Sequence, residues 1–155
     1  MSVPPPAAST VCAHVVLDLA AATAGAAIER LATGFSQVAG MPAPRALAAL
    51  ALQREAQAAT FLGHATALPH ARVAGISRLS VAFGRASRPI PWTRDGDLVE
   101  FVFLGAVPAE QPRHYLEFMR LLARALSEPQ SAAALRTAPD EAAVRTWLTT
   151  HLQLR

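Results

Sequence analysis

Thr60-Phe61-Leu62-Gly63-His64-Ala65-Thr66-Ala67-Leu68-Pro69-His70-Ala71-Arg72 is the stretch on which this chain turns. It has no helical period. Its apolar approach is stiffened by Pro69, ends in His70, and meets an arginine at Arg72. Proline narrows its own φ and drives the preceding residue toward an extended conformation, so Leu68-Pro69 holds the imidazole outward. An imidazole with an unperturbed pKa near ~6.5 is substantially neutral around neutrality, leaving one ring nitrogen free to attack phosphorus without a strong base. That arrangement suggests a histidine that carries phosphate.

Working outward, Val11 to Leu17 is short and β-branched enough for a strand. From about Ala21 to Val38, Ala24, Ala27, Ile28, Leu31 and Phe35 recur at helical spacing, and Gly40 and Pro42 end the run. A second helix is predicted from Pro44 through Ala56, with Leu47, Leu50 and Leu52 facing inward and Arg54 near its C-terminal end. Beyond the central stretch, Leu79 to Gly84 and Leu98 to Leu104 read as strands, separated by a turn region holding Pro89-Ile90-Pro91-Trp92 and Asp95-Gly96. The second run is apolar on both faces apart from Glu100, as an interior strand should be, and Val107-Pro108 marks its exit. The remainder reads as two helices, Pro112 to Leu126 (Leu116, Met119, Leu122, Leu126 inward) and Asp140 to Leu152 (Val144, Trp147, Leu148, His151). Strands and helices mixed in this order imply a single α/β (α+β) domain over residues 11–155 behind a flexible lead-in at 1–10.

At 155 residues and 52% hydrophobic composition the chain holds enough apolar material for one sizeable core. Its one cysteine, Cys12, can form neither an internal disulfide nor a cysteine metal cage, so the cytoplasm is the default location. The 14 cationic residues are all arginine, and against 11 acidic ones they leave a net charge of only +3. They are scattered from Arg30 to Arg155 without the clustered patch that phosphate-backbone binding needs, which argues against a nucleic-acid partner. The apolar stretch from Val11 to Ile28 lacks a basic flank and is interrupted by His14 and Asp18, so neither export nor membrane insertion is expected. Absence of lysine excludes a standard P-loop, and no Gly-x-Ser-x-Gly elbow is present. A metal site on His64 and His70, assisted by His14 or Asp18, fits no zinc spacing; no metal or cofactor is called for.

Arg54-Glu55, Thr60-Phe61-Leu62-Gly63, Ala67-Leu68-Pro69-His70, Pro89-Ile90-Pro91-Trp92, Val107-Pro108 and the closing helix together resemble the IIA domains of the phosphotransferase system. The likeness is to the fructose/mannitol class and its nitrogen-regulatory branch, marked by arginine-glutamate, threonine-aromatic-leucine-glycine and isoleucine-proline-histidine-glycine. This resemblance implies a mixed β-sheet flanked by helices. It also implies that His70 is phosphorylated by a small phosphocarrier protein, with Arg54 as the active-site arginine. The phosphoryl group would pass to a IIB component or be read by a regulatory target, and the standalone chain favours the regulatory branch. Such transfer depends on alignment and on spreading charge over the phosphoryl oxygens, for which a planar arginine fork is suited.

The chain departs from that pattern at several positions. His64 stands where relatives carry a small polar residue between glycines, and Ala65 and Ala71 stand where glycine is common. Losing glycine restricts φ, with His64 and Thr60 available as supporting groups. The family's second active-site histidine falls on Tyr115 in an ungapped reading, with His114 one residue early and so about 100° round a helix. Tyrosine donates a hydrogen bond but is no cation, so histidine restored at 115 is expected to speed transfer. The alternative is a binding module that keeps the fold and contacts its partner without phosphorylation. His14 and His151 read as structural or exposed, Trp92 and Trp147 as packing residues, and Phe61 as the anchor of the active loop.

Overall fold

A computed structural model describes residues 10–110 and 113–154; most of the expected lead-in and Pro112 lie outside the described residues. The elements run β1 (Val11–Leu19), α1 (Ala24–Ala32), a 3₁₀ turn (Thr33–Phe35), α2 (Pro44–Gln57), β2 (Phe61–Gly63), β3 (Thr66–Ala67) and β4 (His70–Val73). They continue with β5 (Ser80–Pro91), β6 (Leu98–Pro108), α3 (Arg113–Ser127), α4 (Pro129–Thr137) and α5 (Glu141–Leu152).

The sheet is built on β6, the strand read as interior. It pairs antiparallel with β5 and parallel with both β3 and β4, giving the order β1-β5-β6-β3-β2 with β4 also on β6. Side chains alternate across a strand, and β6 uses both faces. Phe101, Phe103 and Val107 join Phe83, Phe118, Leu122 and Trp147 beneath α3, α4 and α5. Val99, Val102, Leu104 and Ala106 join Ile28, Leu31, Phe35 and Leu47 beneath α1 and α2. Helices thus cover the mixed sheet on both sides. Each fully buried phenylalanine contributes about 1.5–3 kcal/mol over an exposed one, and the Phe83 and Phe103 rings pack at 5.0 Å.

Helix boundaries follow local chemistry. The Thr23 side chain accepts from the Ala26 N–H at 3.1 Å and starts α1 later than the apolar pattern predicts. That helix also ends early, in the 3₁₀ turn, where Gly34 lies so close under His14 that a Cβ would stand 2.3 Å from the histidine's own. Asp140 caps α5, accepting from Ala143 N–H at 2.8 Å. The element α4 was not anticipated; Pro129 occupies its first turn, a position that needs no N–H.

Two sequence expectations are corrected. Pro89-Ile90-Pro91 belongs to β5 and not to a turn, with Ile90 paired to Val99 and Pro91 to Leu98 after a register shift. The prolines are tolerated because β1 pairs with β5 only as far as Ala86, leaving that edge free of a ladder. Leu50 and Leu116 are 41% and 67% exposed, whereas Leu47, Ala48 and Ala51 bury α2, and Tyr115, Phe118 and Leu122 bury α3. Each helix is rotated from the leucine stripe because alanine and aromatic positions fill its inner face.

Candidate functional site

His70 opens β4, with its Cα opposite Gly105 of β6. Ala71 and Val73 face the α1/α2 core, so His70 and the exposed Arg72 share the opposite face. The His70 Nδ1 lies 3.0 Å from the Leu68 carbonyl oxygen and 3.0 Å from the Tyr115 hydroxyl, and the hydroxyl is 3.3 Å from that same carbonyl. A carbonyl oxygen only accepts, so the arrangement is satisfied when Nδ1 carries the proton and donates to Leu68. Nε2 then holds the lone pair. Burial of the half-buried ring pushes the His70 pKa down from its ordinary value, as do Arg54 and Arg72, against the opposing pull of the Leu68 carbonyl and Glu55. The imidazole is thereby kept neutral and nucleophilic at neutral pH.

Tyr115, not His114, is the α3 residue that meets His70, with ring centroids 4.7 Å apart and planes at 40°. Tyr115 is buried and His114 only half-buried, one residue back on the helix. Gly105 lies beside this contact, where a Cβ would stand at ordinary van der Waals distance, 3.4 Å from the Tyr115 ring and 3.5 Å from His70 Cβ. Burial raises the Tyr115 phenol above its ordinary pKa.

Arg54 sits in the last turn of α2. One of its terminal nitrogens donates to the Ala58 carbonyl at 3.0 Å, capping its own helix, and its remaining donors are uncommitted among the described residues. The neighbouring Glu55 holds the loop that follows. Its carboxylate accepts from Thr60 N–H at 2.8 Å, from the Thr60 hydroxyl at 2.6 Å and from Trp92 Nε1–H at 2.5 Å. This clamp ties α2 to β2 and to the residue that follows β5, and it spends both Thr60 donors on Glu55. Sequence reading named Trp92 only as a packing residue and gave Glu55 no role. A buried indole N–H needs a partner, which was the one available signal.

These groups converge on a pocket of about 140 Å³. Arg54, Thr60, His70 and Tyr115 supply its polar lining, and Phe61, Leu62, Leu68 and Met119 its apolar walls. His64 and His114 do not line it. His64 is exposed at the tip of the β2–β3 hairpin, where Gly63 pairs with Thr66 across a two-residue turn. His64 and Ala65 both have φ of 52°, the left-handed region such a turn requires and for which neither residue is suited. The strain costs about 1–2 kcal/mol per residue and is held by β6, whose Glu100 and Phe101 N–H groups donate to Ala65 O at 2.7 and 3.0 Å. Ala71, by contrast, lies in ordinary strand conformation and is buried, so an alanine there is not conformationally restricted.

The chain matches the family model for the phosphoenolpyruvate-dependent sugar phosphotransferase system, EIIA 2, over residues 11–150. It is 30% identical over 119 residues to a nitrogen regulatory protein of Bradyrhizobium diazoefficiens, covering 76% of this chain and 77% of that protein. Nitrogen regulatory protein IIA-Ntr from Neisseria meningitidis has a similar structure, with TM-score 0.79 and 27% identity, over 88% of this chain and 94% of that one. The fold also matches Escherichia coli enzyme IIAMTL, solved in complex with phosphorylated enzyme IIBMTL, at TM-score 0.71 and 19% identity over 88% and 94% of the two chains. The mixed sheet, its helices on both faces and the family match agree: this chain belongs to the EIIA 2 family of the phosphoenolpyruvate-dependent sugar phosphotransferase system and is a IIA-type phosphocarrier domain.

Proposed function

We propose that His70 is the phosphoryl acceptor, loaded on Nε2 by a small phosphocarrier protein. The observation that carries this reading is the division of the His70 ring: Nδ1 is held at 3.0 Å from Leu68 O, leaving Nε2 as the free nitrogen in a pocket that Arg54 also lines. Phosphorus is attacked by the Nε2 lone pair, the bond to the donor breaks with its electron pair leaving on the donor, and the Nδ1 proton stays in place. Arg54 supplies a planar set of donors to the phosphoryl oxygens, and Arg72 adds positive field from the same strand face. Thr60, with its donors on Glu55, positions the loop.

We place this function in the regulatory branch. Support comes from the two similar proteins named for nitrogen regulation, at 30% and 27% identity. The phosphoryl group's fate on this chain is then to report phosphorylation state to a target protein. Relay to a IIB component, as in the E. coli pair, is the transport version of the same chemistry. The acting unit is the domain that begins at β1, in the cytoplasm. Among the described residues no helix is long and apolar enough to cross a membrane. A second reading, a binding module that is not phosphorylated, draws on the strained turn at His64-Ala65 and on Tyr115 in place of histidine.

Intact mass after incubation with phosphoenolpyruvate and the general phosphotransferase proteins separates the two. Wild type is expected to gain one acid-labile phosphoryl group, His70→Ala none, and Arg54→Ala the same group about a hundredfold more slowly with the fold retained. Labelling of His70→Ala at the parental rate would sink the assignment. A folded wild type that stays unlabelled with cognate donors would favour the binding module.

A further inference from the structure

Leu116 is the most exposed large apolar side chain among the described residues, at 67%. Packing of its own helix does not call for it, since Tyr115, Phe118 and Leu122 already make the inner face of α3. Its position is specific. Met119, its neighbour one turn later on the helix surface, lines the His70 pocket together with Tyr115. Leu62, on the opposite wall of that pocket, is half-buried like Met119. Leu116, Met119 and Leu62 thus form an apolar strip at the pocket's rim.

The uncommitted charges around this strip carry one sign. Arg113 is exposed one turn before Leu116. Arg72 is exposed on the His70 face of β4, paired with Val107 at the end of β6 that leads into α3. Arg54 lines the pocket itself. Neither Arg72 nor Arg113 makes an ion pair among the described residues. The carboxylates on these elements are spent: Glu117 on Arg120 at 2.6 Å, and Glu55 on Thr60 and Trp92. Glu110 lines a separate pocket with Gly75 and Ser77. The first turn of α3 holds Arg113 and His114 and no acidic residue, although a helix N-terminus stabilises anions and disfavours cations. These cations do nothing for the helix; they add positive field at the mouth of the pocket.

We propose that this rim is a charge-selective docking surface for a partner protein that meets Leu116 and Met119 with an apolar contact and Arg72 and Arg113 with carboxylates. The inference rests on His70 being the acceptor, because a protein that loads or unloads Nε2 must seat on the residues around the pocket. The apolar centre sets how long the partner stays, and the cationic rim sets which partners approach. A carrier whose histidine is ringed by lysines is repelled, and one ringed by glutamates is drawn in. Charge at the rim then keeps this domain on one carrier where several are present.

The probe is one phosphocarrier protein, unphosphorylated, made in two versions with glutamates or with lysines around its histidine. The whole chain should bind the glutamate version about tenfold more tightly at about 50 mM salt, and the gap should close at about 300 mM as the charges are screened. Arg113→Glu should bring the two versions within about threefold of each other. Leu116→Ala, at an exposed position on which the fold does not depend, should weaken both versions about tenfold without altering their ratio. In phosphorylation kinetics with the glutamate version, both substitutions should raise KM and leave kcat as in wild type, which a misplaced His70 would not do. Equal binding of the two versions by wild type, or binding of neither, overturns the proposal, as does a Leu116→Ala chain that binds like wild type. The binding measurement needs no phosphate. A wild type that prefers the glutamate version yet is never labelled defeats the acceptor reading alone; one that is labelled on His70 but binds both versions alike defeats the docking surface alone.

Discussion

The β2–β3 hairpin tip and the start of β4 differ from the expected family pattern in unequal ways. At the hairpin tip, Ala65, where the family resemblance leads one to expect glycine, is held at φ of 52°, beside a His64 in the same conformation. At the base, Ala71, also at a position where the family resemblance leads one to expect glycine, sits buried in a regular strand, and the Tyr115 ring packs against His70 at 4.7 Å. One alanine stores strain in an exposed turn, the other sits without strain in a strand, and the tyrosine meets His70 through its hydroxyl. The same kind of sequence change therefore has a meaning only once its φ and burial are known. The tip is held from outside, by backbone bonds to β6 and by the Glu55 clamp at its root; the base is held by packing.

The clamp is the place to break this difference most forcefully. Glu55→Ala removes three hydrogen bonds and strands the buried Trp92 N–H and the Thr60 N–H. Bonds to a carboxylate are stronger than neutral ones, so the expected loss is about 2–4 kcal/mol, measured as a lower urea midpoint. Phosphorylation should slow as well, because Arg54 and the β2 wall lose their register. A variant as stable as wild type would mean that the root of the hairpin is not held by Glu55.

Exchanging the two alanines sharpens the comparison at a smaller scale. Ala65→Gly relieves a left-handed strain and should stabilise by about 1 kcal/mol, whereas Ala71→Gly loses a buried methyl in a strand and should destabilise by a similar amount. Both are read from denaturation midpoints. Shifts of the same sign at both positions would contradict the contrast drawn between tip and base.

What could be read from the chain alone follows the same division. Leu68-Pro69-His70 announced itself because proline acts locally, and the interior nature of β6 followed from Val99-Glu100-Phe101-Val102-Phe103, which is apolar on both faces. The extension of β5 through Pro89-Ile90-Pro91 was hidden because the prolines are tolerated only where β1 has already ended, a fact of sheet topology. Leucine spacing put Leu50 and Leu116 inward, but alanines and aromatics won those faces. The pairing of Glu55 with Trp92 spans 37 positions, and the meeting of His70 with Tyr115 spans 45. Local chemistry was legible; contacts made by register were not.

The smallest effect tests the base by titration. His70 has a folded pKa below its ordinary value, chiefly because burial disfavours the charged ring. The unfolded chain therefore takes up its proton first on acidification, near about pH 6.5. Stability from this residue is complete above that pH and is lost as pH falls through the lower folded value. His70→Gln removes this proton uptake while leaving His14, His64, His114 and His151 in place. Urea midpoints taken between about pH 7 and about pH 5 should fall more steeply for wild type than for the variant. Phosphorylation by wild type should decline over the same window as the nucleophile is protonated. Parallel midpoints would mean that the ring is not desolvated where it sits against Tyr115, and a steeper fall in the variant would reverse the sign of the burial effect.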